Sequence, residues 1–100
     1  MTIIDLRSDT VTLPSKKMKD FMFSSPLGDD VYGEDPSINK LQQKAADLLG
    51  KEAGLLMASG TMSNLVAALT HCKRGDEIIM GDQAHMFWNE SAGASALAGA

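Results

Sequence analysis

Starting at Ser15, apolar positions recur at helical spacing: Met18, Phe21 and Met22 stand at i, i+3 and i+4. That spacing predicts a short helix, closed by Pro26 and Gly28. A clearer period follows, with Ile38, Leu41, Ala45, Leu48 and Leu49 on one face and Lys40, Lys44, Asp47 and Lys51 on the other. Asp35 offers a cap, Pro36 suits the first helical position, and Gly50 suits the left-handed residue past the end. The rhythm then changes. Ala53–Ala58 is apolar throughout, as a strand covered on both faces would be. Ser59-Gly60-Thr61 turns it into a third helix, whose core face is Met62, Leu65, Val66 and Leu69. Lys73 and Arg74 sit at its C-terminal end, where the helix dipole favours cations. After Gly75-Asp76, Glu77–Met80 reads as a second apolar strand. Strand, helix, strand predicts a βαβ unit with a right-handed crossover. The expected class is α/β, a mainly parallel sheet flanked by helices. Of the remaining chain, Thr2–Thr12 is polar and β-branched and reads as extended. Residues 28–36 hold Asp29, Asp30, Glu34 and Asp35 around Tyr32 and Gly33 and read as a loop.

Composition narrows the possible roles. One hundred residues, 44% hydrophobic and 22% charged, form a small globular unit or a piece of a larger one, not a disordered chain. Nine basic against 13 acidic residues leave a net charge of −4 with no basic stripe, which argues against a nucleic-acid partner. No apolar run approaches the roughly 20 residues a membrane span needs. The N-terminal residues carry acids and Arg7 rather than a basic region followed by an apolar run, so no secretory signal is read there. A single cysteine, Cys72, fits a reducing compartment, and cytoplasm is the expected location. The last ten residues are Ala, Gly and Ser with one Leu, without a capping charge, and read as chain interrupted within a structure.

The turn Ser59-Gly60-Thr61 is the main candidate for chemistry. A strand that runs directly into a helix aims the helix's free N–H groups past the strand's C-terminal edge. Gly60 permits close backbone approach, and the Ser59 and Thr61 hydroxyls add donors, which outlines a phosphate site. The plain alternative is a helix start capped by Ser59 or Thr61. The turn matches neither a P-loop nor a dinucleotide fingerprint. His85 follows the second expected strand and emerges at the same sheet edge, where open α/β sheets bind ligands; the competing reading is a structural hydrogen-bonder. His71, beside Lys73, has a dipole role. Cys72, His71 and His85 lack zinc spacing, and loop 29–35 lacks calcium-loop spacing. Ser37-Ile38-Asn39-Lys40 has the S-x-x-K spacing of some acylated serines, without the companion motifs.

Three stretches together resemble a known family. Asp5-Leu6-Arg7-Ser8-Asp9-Thr10-Val11-Thr12, Gly28-Asp29-Asp30-Val31-Tyr32-Gly33-Glu34-Asp35-Pro36 and Ser59-Gly60-Thr61-Met62-Ser63-Asn64 look like the low-specificity L-threonine aldolases. Gly75-Asp76-Glu77 and the His85 segment follow in register. The resemblance covers essentially the whole chain, but only the N-terminal part of the family's several hundred residues. It implies the start of a large domain of the aspartate-aminotransferase type (fold type I). Residues 1–36 would be an arm, a helix and an interface loop, and 37–100 the beginning of the cofactor-binding domain. It also implies a pyridoxal 5'-phosphate enzyme that cleaves L-threonine or L-allo-threonine to glycine and acetaldehyde. Ser59, Gly60 and Thr61 would then hold the cofactor phosphate. His85 would stack on the pyridine ring and handle the hydroxyl proton. Ser8 would help hold the substrate carboxylate, and Tyr32 would reach into the neighbouring subunit's site in a homodimer or homotetramer. Asn89 stands where the family often has an aromatic residue. The family's Schiff-base lysine and ring-nitrogen aspartate correspond to positions past residue 100, and the seven lysines present fall on charged helix faces or ends. Two further readings stay open: a non-catalytic truncated remnant, and another pyridoxal-phosphate lyase of the β-eliminating kind.

Overall fold

Capping chemistry starts each long helix where the sequence places it. In the computed structural model, which describes residues 3–100, Ser15 opens helix α1 (Lys16–Ser24) by accepting a hydrogen bond from the Met18 amide at 3.2 Å. Asp35 opens α2 (Pro36–Leu49), with its Oδ1 accepting from the Ser37 and Ile38 amides at 2.9 Å each. Gly50 closes α2 in the left-handed region at φ 60°, which a residue with a Cβ adopts only at a cost. Ser59 opens α3 (Gly60–His71), accepting from the Met62 amide at 3.1 Å. A four-residue helix α4, His85–Trp88, and a wide five-residue turn at Ala94–Ala98 complete the second half. Neither of these last two was legible from periodicity. The segment read as extended contains a short 3₁₀ turn at Asp9–Val11, capped by Ser8; Thr2 of that segment lies outside the described residues.

The chain divides into two units, Met1–Gly54 and Leu55–Ala100. In the first, loop 26–35 is tied back onto the start of α2. Gly28 donates its amide to Asp35 Oδ2 at 3.0 Å, and Ser37 Oγ donates to the Pro26 carbonyl at 2.7 Å. Asn39 Nδ2 donates to the Gly33 carbonyl at 2.7 Å. A Cβ on Gly28 would drive into the Glu34 carbonyl, so the loop closes only with glycine there. In the second unit, α3 packs on the Ala94–Ala98 turn, and Ala68 and Ala98 are buried. Leu65 Cδ1 approaches Gly93, and the Gly75 amide donates to the Gly99 carbonyl at 2.9 Å.

Two expectations are not met among the described residues. The first is the sheet. Neither Ala53–Ala58 nor Glu77–Met80 forms a strand, and no strand occurs among the described residues. A strand is defined by its ladder of backbone hydrogen bonds, and neither segment has a neighbour here that supplies one. Leu55 and Ile79, expected inside a sheet, are 73% and 99% exposed. The second is burial. Met18, Phe21, Met22, Leu41, Leu48 and Leu49 all lie exposed on their helices. The more covered positions of α2 are instead Ser37, Ile38, Gln42 and Ala46, with Gly54 against the Gln42 backbone. Apolar periodicity marks the face a helix can bury; which face is covered depends on neighbours. No helix among the described residues is long and apolar enough to cross a membrane.

Candidate active site

The first turn of α3 leaves two donors free. Ser59 Oγ takes the Met62 amide, and the Ser59 carbonyl takes the Ser63 amide at 3.0 Å. Among the described residues the Gly60 and Thr61 amides have no acceptor, as helix geometry dictates for a first turn. Nothing lies within 4 Å of where a Cβ on Gly60 would sit, so the approach to these amides is open. Beside them is a cavity of about 400 Å³ lined by Gly60, Thr61, Asn64, His85 and Glu90. It is open to solvent rather than enclosed.

His85 reaches this cavity because α4 begins at it. The Trp88 indole N–H donates to the Asp82 carbonyl, and Phe87 meets Trp88 edge to face at 5.4 Å, which fixes the short helix on its loop. His85 Nδ1 lies 2.8 Å from Glu90 Oε1, and Asn64 Nδ2 donates to the same oxygen at 2.8 Å. The Glu90 side chain is 4% exposed and that of His85 64% exposed, so the carboxylate is buried behind an imidazole that meets solvent. The hydrogen bond to His85, and after it the one from Asn64, hold the Glu90 carboxyl below its ordinary range, against the opposing effect of burial. Directly after Glu90 the chain reverses through Ser91 and Ala92, at φ 52° and 54°. Two consecutive left-handed residues that are not glycine cost about 1–2 kcal/mol each, a strain kept only where the surroundings impose it.

Of the expected site residues the structure brings Gly60, Thr61 and His85 onto one depression in the second unit, and Ser59, next to them in sequence, is not among its lining residues. Ser59 is the helix cap, although its hydroxyl proton is not used by that bond. Ser8 and Tyr32 belong to the first unit. Ser8 Oγ accepts from the Thr10 amide at 3.2 Å and from the Thr10 hydroxyl at 2.9 Å. Tyr32 ends a 3₁₀ turn, Asp30–Tyr32, with its side chain exposed. Sequence reasoning missed Glu90 and its partner Asn64. A usable signal was present: Glu90 is the only Asp, Glu, Lys or Arg between Gln83 and Ala100. A lone acid in a stretch of small and apolar residues is a candidate for burial with a partner.

A helix start with two free amides, an open glycine and a carboxylate-backed histidine thus face one depression, and the two amides are the groups there that could hold an anion. The family model for beta-eliminating lyases matches residues 5–100, and the chain belongs to that family. Within it, the chain is 55% identical over 95 residues to the low specificity L-threonine aldolase of Escherichia coli K12, covering 95% of this chain and 28% of that protein. It is 45% identical over 97 residues to a probable low-specificity L-threonine aldolase 2 of Arabidopsis thaliana, covering 96% of this chain and 27% of that one. With the low specificity L-threonine aldolase of Saccharomyces cerevisiae the identity is 44% over 94 residues, 93% of this chain and 24% of the relative. The chain spans about a quarter of the length of these curated relatives.

Proposed function

We propose that the whole protein to which this chain belongs is a pyridoxal-phosphate aldolase, cleaving L-threonine or L-allo-threonine to glycine and acetaldehyde. The observation that carries this reading is one cavity shared by the free amides of Gly60 and Thr61 and by His85. The residues suit a phosphate-bearing aromatic cofactor. The two amides, with the Thr61 hydroxyl, offer donors to a phosphate at the positive end of the helix dipole, and the imidazole offers a flat surface to a ring. When bound, the cofactor supplies an electron sink for the carbanion left as the Cα–Cβ bond breaks.

The chain's own residues then orient substrate and move protons. His85 Nδ1 is engaged by Glu90, so Nε2 is the nitrogen left to take the β-hydroxyl proton as the aldehyde departs. Ser8 contributes to holding the substrate carboxylate. Exposed Tyr32 completes a neighbouring subunit's site in a homo-oligomer, with residues 1–36 as arm and interface loop and 37–100 as the start of the cofactor-binding domain. In that assembly Ala53–Ala58 and Glu77–Met80 become strands of a parallel sheet, which explains apolar sequences that lie exposed here. Cytoplasm is the location consistent with a single cysteine.

The test is to supply the full-length protein with pyridoxal phosphate and L-threonine and measure acetaldehyde and glycine. Equal release of both is expected. His85→Ala should lower kcat/KM by about 10²–10⁴-fold, the range for a general acid–base group, without loss of fold. Release of ammonia and 2-oxobutanoate instead would reassign the protein to β-elimination, which the family match also admits.

A further inference from the structure

His85 does not stand alone in the cavity; behind it a buried carboxylate is locked in place. Glu90 Oε1 is 2.8 Å from His85 Nδ1 and 2.8 Å from Asn64 Nδ2, while the Glu90 side chain is only 4% exposed. We propose that Glu90 is a positioning residue that fixes the His85 tautomer, with the proton on Nδ1 and the bare nitrogen, Nε2, turned over to chemistry in the cavity. The inference rests on the functional reading for what Nε2 does there, but the tautomer itself follows from the geometry of this chain.

An ionised carboxylate can only accept hydrogen bonds. Its carboxyl is held below the ordinary range by His85 and Asn64, so it is ionised near neutrality. A nitrogen 2.8 Å away must therefore carry the proton, and in a neutral ring that leaves the other nitrogen unprotonated. Free imidazole side chains have no such constraint. Asn64 gives the carboxylate a second donor, from the first turns of α3, and ties it to the helix whose free amides open on the same cavity. The strained reversal at Ser91-Ala92 is the backbone counterpart. Strain of this kind persists only where the surrounding structure over-determines it, and here it directly follows Glu90. This is the base-and-orienter arrangement in which the third group acts through the histidine without touching substrate.

The test uses the full-length protein labelled with ¹⁵N at histidine, with the His85 resonances identified by their loss in His85→Gln. Under conditions where the imidazole is neutral, Nδ1 should be the protonated nitrogen, and Nε2 the bare one. A wild-type spectrum with the proton on Nε2 overturns the proposal without need of any variant. In Glu90→Ala the proton should move to Nε2, and kcat should fall by up to about 10⁴-fold at nearly unchanged KM, the scale of losing the carboxylate that fixes a catalytic histidine's tautomer. Glu90→Gln, whose amide oxygen can still accept from Nδ1 and Asn64, should restore the tautomer. A fall in kcat with the His85 tautomer unchanged in Glu90→Ala would mean that Glu90 only supports the fold. Should the full-length protein fail to cleave threonine, the functional reading falls, and the tautomer measurement still decides this one.

Discussion

Gly60 shows how one residue links the turn's sequence to its chemistry. The space where its Cβ would sit is open, so a larger residue is tolerated by the fold and felt by whatever approaches the helix start. Gly60→Val should therefore leave thermal unfolding of the full-length protein nearly unchanged while weakening pyridoxal-phosphate binding by at least about tenfold, since the backbone amides can no longer be reached. Cofactor titration by absorbance measures this, and an unaltered dissociation constant would place the phosphate elsewhere. At this scale the sequence was informative where residue type and turn context coincide. The helix start at Ser59-Gly60-Thr61 was legible, whereas His85 was singled out for a sheet edge that the described residues do not form and stands instead at the start of α4. Glu90 was missed: its isolation among small and apolar residues pointed to burial, but its partners His85 and Asn64 are brought to it only by the fold.

Helix boundaries were legible because they depend on local hydrogen bonds. Ser15, Asp35 with Pro36, Gly50 and Ser59 each sit where their capping chemistry predicts. Strands were not, because a ladder needs a neighbour that no local pattern contains. Asp35 joins the helix to its loop and makes the joint sensitive to acid. Its carboxyl is held low by the amides of Ile38 and Gly28, with a smaller contribution from Ser37, while burial acts the other way. Its folded value is thus depressed below the ordinary 3.8. The stability it contributes is present above that ordinary value and is lost as pH falls through the depressed folded value. Asp35→Asn separates the two roles. Its side-chain oxygen still caps Ser37 and Ile38, but an NH₂ group would face the Gly28 amide where Oδ2 now accepts. Faster hydrogen exchange across residues 26–35 with α2 still protected is expected, together with loss of the acid sensitivity at that loop. Unchanged exchange in the variant would show that the Gly28 bond does not hold the loop.

Taken over both units, the only apolar residues buried among the described residues are three alanines, Ala46, Ala68 and Ala98, beside the polar Asp35 and Glu90, and no large apolar side chain is fully covered. Phe23, Leu55 and Ile79 lie 93%, 73% and 99% exposed. Because burying a Leu, Ile or Phe contributes about 1.5–3 kcal/mol, a unit that covers none of them has little to set against the entropy of ordering its chain. The relatives are about three to four times as long. Residues 1–100 produced alone should accordingly unfold over a broad temperature range without a cooperative transition, and should bind an apolar dye strongly. The full-length protein should melt cooperatively and bind little dye, since the same side chains would then be covered. Activity should separate the two preparations as well. All seven lysines, Lys16, Lys17, Lys19, Lys40, Lys44, Lys51 and Lys73, are exposed, whereas a lysine that reacts with a carbonyl cofactor is activated by desolvation or a neighbouring charge. The isolated residues should therefore release no acetaldehyde from L-threonine. A cooperative melt of the 100 residues with no dye binding would show that they cover their apolar faces unaided; acetaldehyde released by the same preparation would show that one of these exposed lysines suffices.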